Sequence, residues 1–251
     1  YTFPDGLYQD FIKTGDLQSK NALKLMGENS AGAGILKHWG IGYISSREVA
    51  FIFKTYLRLI DLGEDVQNMH IMAADVALGH IDQWFVSKTA GYYKPFMVGL
   101  TLSSLIDYYE KTHDPRIPAA VAVAADGLWD CCWLGDREGA SNADQGFFYT
   151  SSTLPHKAYI TPLNAVIAPA YAWLYSHTGN DKYRVRGDRI FEAAVRNASK
   201  SNIGWNQKQT NQQYNYSFKF VEWRSNPKQH DPTAPAAPTR LRLTRPGAAS
   251  H

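Results

Sequence analysis

Apolar residues along this chain recur at intervals of three and four, the period of a helix face, from near the start to beyond residue 190. In "SREVAFIFKTYLRLIDLG", Val49, Ile52, Phe53, Tyr56 and Ile60 mark one face, while Phe51 and Leu59 carry apolar character onto others. That pattern predicts a helix buried on more than one side. "KPFMVGLTLSSLIDYYEKT" sets out Phe96, Met97, Leu100, Leu105 and Ile106 in the same manner, with Gly99, Ser103 and Ser104 leaving room for close neighbours. "TPLNAVIAPAYAWLYSHT" repeats the idea. There Pro162 suits a first turn, and Pro169 is expected to kink the helix or shift its start. Partner helices are predicted over "QSKNALKLMGE", "VQNMHIMAADVALGHIDQWFV", "PRIPAAVAVAADGLWDCCW" and "DKYRVRGDRIFEAAVRNA".

A polar turn joins each pair: "IKTGDLQSK", "IDLGEDVQN", "YYEKTHDPRI" and "SHTGNDKYR". The turn at Asp16 recurs at Asp65 and Asp114, 49 residues apart each time, and at Asn180 after a further 66. A second landmark keeps step. Tyr43 in "GYI", Tyr92 in "GYY" and Tyr159 in "AYI" each open a helical run, separated by 49 and then 67 residues. In these turns Gly supplies a left-handed helix exit, and Asp or Asn caps the next helix. The reading is an all-α array of repeated αα-hairpins, which stack because one hairpin alone cannot bury its apolar faces.

Composition fits one helical domain over residues 1–225, with 44% hydrophobic and 20% charged residues in the chain as a whole. "GWNQKQTNQQYNYSFKFVEWRS" is expected to close the array by packing across it, and the Pro/Ala-rich residues 226–251 to form a linker or tail. No apolar run reaches the roughly eighteen residues that suggest a membrane span. With no Met start and no signal peptide, the chain reads as a processed or excised piece. Residues 1–180 hold 13 Lys/Arg against 18 Asp/Glu, whereas residues 181–251 hold 13 against 5. A basic last quarter suits an acidic partner such as a uronic-acid polymer or nucleic acid. No RNP, zinc-finger or helix-turn-helix signature accompanies it, so nucleic acid is set aside. Cys131 and Cys132, between Trp129 and Trp133, read as small buried hydrophobes, with a vicinal disulfide as the lesser alternative.

The first helix, polar turn and second helix, with Trp and Tyr at the hairpin mouths, resemble the six-hairpin (α/α) toroid glycosidases and polysaccharide lyases. "MVGLTLSSLIDYYEKTHDPRI" and "APAYAWLYSHTGNDKYRVRGDRIFEAA" carry the likeness, which covers roughly residues 7–200. It implies part of an (α/α) toroid, the C-terminal portion, with further domains or chains completing the ring. It also implies a secreted or periplasmic protein acting on poly- or oligosaccharides. Glycoside hydrolysis stands ahead of β-elimination, and a non-catalytic helical scaffold or glycan-binding segment is the alternative. A shared architecture does not by itself define the chemistry.

In such toroids the long loops entering the inner helices line the cavity. Here they supply Trp39, Trp84, Tyr92, Tyr93, Lys94, Trp133, Arg137 and Tyr159 as candidate substrate-binding residues. Flat aromatic faces suit the apolar face of a pyranose, with polar edges for its hydroxyls. Hydrolysis needs two carboxylates across the glycosidic bond; Asp136, Glu138 and Asp144 lie in the longest mouth loop and Asp75, Asp82, Asp126 and Asp130 on second helices, and no pair stands out. Elimination from a uronate needs a base and a cation, for which His156, Tyr149, Lys94 and Arg137 have the right chemistry. Taken singly, each of these carboxylates and bases is better accounted for as a solvated, capping or surface residue. His70 and His80 are ten residues apart and share no i, i+4 face. No metal and no cofactor is expected.

Overall fold

The structure, a computed structural model, describes residues 3–38, 42–135, 146–151, 163–197 and 216–226. Nearly all of them are helical, and the β-structure among them is a single antiparallel bridge between Trp133 and Phe147. The helices are α1 Pro4–Thr14, α2 Leu17–Asn29, α3 Ala31–His38, α4 Ser46–Asp61 and α5 Met69–Ile81. They continue with α6 Pro95–Thr112, α7 Arg116–Cys132, α8 Asn164–Thr178, α9 Asp181–Asn197 and α10 Tyr216–Ser225. A π-helical turn, Asp82–Val86, extends α5. Helix α3 has no counterpart among the predicted helices, and α8 runs on through Pro169.

Three of the hairpin turns are closed by one set of hydrogen bonds. Thr14 Oγ1 donates to the Asp10 carbonyl at 2.7 Å and accepts from the Asp16 N–H at 3.1 Å. Asp16 Oδ1 then accepts from the Gln18 N–H at 2.9 Å, which caps α2. Thr112 and Asp114 do the same for α6 and α7, and Thr178 and Asn180 for α8 and α9. The residue between them is left-handed in each case: Gly15 at φ 74°, His113 at φ 53° and Gly179 at φ 67°. Glycine adopts that conformation without steric cost, and His113 is the costlier occupant. The turn after α4 differs. Gly63 exits at φ 74°, but Gln67 and Asn68 are left-handed too, and α5 starts late. That accounts for its looser sequence.

Short turns make each hairpin antiparallel, and the hairpins then pack side by side. Helix α1 lies on α4, α4 on α6, α6 on α8, and α8 on α10. Helices α4 and α6 run parallel and in register, because contacts along their whole length keep nearly one offset. Ser46 Oγ meets Met97 Sδ across 51 residues, Lys54 Nζ meets Ser103 Oγ across 49, and Lys111 meets Asp61 across 50. Between α6 and α8 the offset becomes 63 at Trp173 Nε1, which donates to Glu110. These separations echo the spacing of the turns. Close approach uses small residues: a Cβ on Gly99 would stand 2.9 Å from Ile167 Cγ1 and 3.0 Å from the Val166 carbonyl oxygen. Ser104 Oγ donates to the Ala50 carbonyl at 2.9 Å, joining α6 to α4.

The core is continuous through these helices, with Phe53, Leu102, Ile106, Tyr171 and Trp173 fully buried. Helix α8 is buried on almost every face because α10 covers the side that α6, α7 and α9 leave open. The closing segment therefore packs as expected over its described part, by stacking Phe220 on Phe191 at 4.1 Å. The tail after residue 226 and Pro162 lie outside the described residues.

Candidate functional site

Polar groups interrupt this apolar array at several places, among them one constellation at the mouths of the hairpins and one within the helix layer.

At the mouths, the segment before α6 is held from two sides. Tyr43 Oη accepts from the Gly91 N–H at 3.0 Å, and its ring meets Tyr92 edge-on at 5.5 Å. The next residue, Tyr93, exchanges bonds with Ser151: its N–H donates to Ser151 Oγ at 2.8 Å, and its carbonyl accepts from the Ser151 N–H at 2.9 Å. This clamp places Tyr149 on Phe96 as a stacked pair at 5.5 Å and sets Lys94 Nζ 5.3 Å from the Tyr149 ring centroid. Tyr149 is 37% exposed. The structure thus brings Lys94 and Tyr149 together, while Tyr92 packs on Tyr43 and Tyr93 is half-buried between Phe85 and Phe148, where burial raises its pKa. A raised phenol is a poorer base and remains a hydrogen-bond donor at neutral pH. The Lys94–Tyr149–Phe96 group offers an exposed aromatic surface with one cation beside it, suited to a ring with a polar or anionic rim.

Trp84 and Trp133 do not belong to that surface. Trp84 is 4% exposed, lodged beside His80 and Phe85 in the π-helical turn. Trp133 is 7% exposed and stacks on Trp129 at 5.0 Å, with Phe147 against its edge. An indole is the largest apolar side chain, and these two meet enough core to bury rather than line a cleft. The cysteines also depart from expectation: Cys131 and Cys132 are joined to one another as a disulfide. Trp39, Asp136, Arg137, Asp144, His156 and Tyr159 lie outside the described residues. The loop bearing Asp136, Arg137 and Asp144 is pinned at its base, where the Leu134 N–H donates to the Gly146 carbonyl at 2.9 Å beside the Trp133–Phe147 bridge.

The second constellation has no counterpart among the sequence candidates. Lys54 is only 7% exposed. Its Nζ reaches Ser103 Oγ at 2.9 Å and Asp107 Oδ2 at 3.2 Å, and it sits 5.0 Å from the Tyr216 ring centroid. One turn on, Arg58 binds Asp5 Oδ1 at 2.6 Å and Asp61 Oδ2 at 3.2 Å. The cluster ties α1, α4, α6 and α10 together. Desolvation alone would lower the Lys54 pKa, but the charges of Asp107, Tyr216 and Asp5 outweigh it and hold the ammonium above its usual range. Desolvation pushes Asp5 up and the cations Lys54 and Arg58 pull it down, with a net lowering. A lysine held protonated cannot draw a proton from Ser103, so the pair lacks the activated base of a serine nucleophile. The cluster is structural. Its sequence signal was a polar i, i+4 stripe, Lys54 with Arg58 and Ser103 with Asp107 and Lys111, inside otherwise buried helices.

Open clefts among the described residues lie elsewhere. One follows the outer face of α5 at Asn68, Met72, Val76 and Gln83, and another lies between α2 and the turn after α4. Among the described residues, no cluster of three His, Cys, Asp or Glu side chains could hold a metal, and no helix is long and apolar enough to cross a membrane. No known protein family, curated protein or solved structure matches the chain.

Proposed function

We propose that this chain is part of an (α/α) toroid of the glycosidase and polysaccharide-lyase kind, acting on poly- or oligosaccharides outside the cytoplasm. The observation that carries the reading is the meeting of Lys94 and Tyr149 over Phe96 at the mouth of the α6 hairpin. Side-by-side first helices α1, α4, α6 and α8 support the toroid. An aromatic face flanked by a lysine suits a pyranose ring, and the cation favours a sugar bearing a carboxylate. Hydrolysis stands ahead of elimination, with Asp136 and Asp144 as the candidate acid and base and His156 and Tyr149 in reserve. Trp39, Arg137 and Tyr159 complete the proposed binding set. Trp84 and Trp133 are withdrawn from it because their rings are buried.

A second reading is a glycan-binding or scaffolding segment without catalysis. It is favoured by the chemistry beside Tyr149, where the described contacts are aromatic and cationic. A panel of neutral and uronate-containing polysaccharides separates the two. New reducing ends indicate hydrolysis, new ultraviolet absorbance of unsaturated uronates indicates elimination, and retention on an affinity gel without either indicates binding alone. Tyr149→Ala and Lys94→Ala should each weaken retention at least tenfold. Wild-type protein that neither binds nor cleaves any member of the panel would refute the carbohydrate reading.

A further inference from the structure

The disulfide between Cys131 and Cys132 joins neighbouring residues at the C-terminus of α7. A cross-link stabilises a fold mainly by restricting the unfolded chain, and its effect grows with the loop it closes. Neighbouring residues enclose no loop, so this bond is nearly useless as a staple. Its placement suits chemistry instead. Cys132 is 0% exposed, whereas Cys131 is an exposed residue, which makes Cys131 the more accessible side of the bond for a thiolate arriving from solvent. Accessible disulfides are the labile ones, since exchange requires direct attack on sulfur. The next residue, Trp133, carries the stack with Trp129 and the bridge to Phe147, so the pair adjoins the anchor of the mouth loop.

We propose that Cys131–Cys132 is a reversible thiol–disulfide site, reduced by a dithiol of the thioredoxin type and re-formed by a disulfide oxidant such as oxidised glutathione. A thiolate of the reductant attacks the Cys131 sulfur. The bond to Cys132 breaks, and Cys132 leaves as a thiolate that takes up a proton. The second thiol of the reductant then displaces Cys131 from the mixed disulfide. Two electrons and two protons pass to the protein, and the reductant is left with its own disulfide.

The test counts thiols in the folded, air-oxidised protein with an aromatic disulfide reagent and no denaturant. Counts are taken before dithiothreitol, after it, and again after its replacement by oxidised glutathione. The chain has 2 cysteines, so the expected sequence is none, both, none. Far-UV circular dichroism should stay unchanged throughout, while the near-UV band of the tryptophans shifts reversibly. The Cys131→Ser/Cys132→Ser variant should keep the wild-type urea midpoint and lose the near-UV response. Thiols that appear only under denaturant, thiols that fail to re-oxidise, or a double variant with a markedly lower midpoint would each overturn the proposal. The last result would make the bond a structural staple.

Discussion

Lys54 offers the sharpest test of what holds the first helices together. Replacing it by Met keeps the length and apolar stem of the side chain and removes only the ammonium. Asp107, whose side chain is 17% exposed, then keeps only a distant cation, Arg58 Nη2 at 3.9 Å, and Ser103 Oγ loses its donor. Breaking a buried ion pair from one side costs about 3 to 5 kcal/mol because the remaining charge stays desolvated. The residual contact with Arg58 places the expected loss near the lower end, about 3 kcal/mol. Replacing both partners, Lys54→Met with Asp107→Leu, should recover most of that, so the coupling between the two sites is at least about 2 kcal/mol. Urea unfolding followed by far-UV circular dichroism reads these values, with the slope unchanged if only stability moves. The sign with pH is fixed as well. A lysine whose folded pKa is raised stabilises fully below its ordinary value of 10.5, and that contribution fades as pH rises above it. A Lys54→Met cost below about 1 kcal/mol, the range of a solvated surface pair, would refute this account. Strict additivity in the double variant would do the same.

Gly99→Ala sets two effects against one another: better helix propensity, worth about 1 kcal/mol, and overpacking, which costs about 1 to 3. The added methyl meets the Val166 carbonyl oxygen at 3.0 Å, an atom of helical backbone that cannot move aside, so we expect net destabilisation in thermal unfolding. A stabilised variant would show that α6 and α8 are farther apart. Glu64, hydrogen-bonded by Lys20 and Lys24, has its pKa lowered from 4.5 to about 2. Its contribution is present above pH 4.5 and is lost as pH falls through about 2, so Glu64→Gln should flatten the stability profile in that interval. An unchanged acid limb in pH-dependent unfolding would contradict the pairing. Thr178→Val removes the hydroxyl that donates to the Leu174 carbonyl at 2.6 Å and accepts from the Asn180 N–H at 3.2 Å. It should cost about 0.5 to 1.5 kcal/mol, measured by chemical denaturation. No measurable loss would mean that water replaces both bonds.

The candidate site was only partly legible. Tyr92, Tyr93 and Lys94 are legible because they adjoin a landmark that repeats with the hairpins, whereas Tyr149 comes from the long mouth loop and meets Lys94 only in the fold. Trp84 and Trp133 were misread for a reason particular to large aromatics. Near a helix end such a side chain can turn outward to a mouth or inward to the core, and its neighbours in sequence do not decide which. Phe85, His80, Trp129 and Phe147 decided it here. Phe96 was read as core alone, yet it stacks beneath Tyr149.

By itself, the order of residues determined the main helix pairs and the turns that join them. Helix periodicity and the Thr-x-Asp or Thr-x-Asn turn depend on atoms only a few positions apart, so they are written locally. The repeat spacing of 49 and then 66 residues is close to the separations at which α4, α6 and α8 touch, 49 to 54 and then 63. Tertiary structure alone decided that Lys54 would be buried against Asp107 and Tyr216, and that two tryptophans would turn inward. It also decided that α10 would cover α8. Each of those outcomes depends on surfaces brought together from distant positions, where desolvation and packing are settled jointly and no single segment carries the answer.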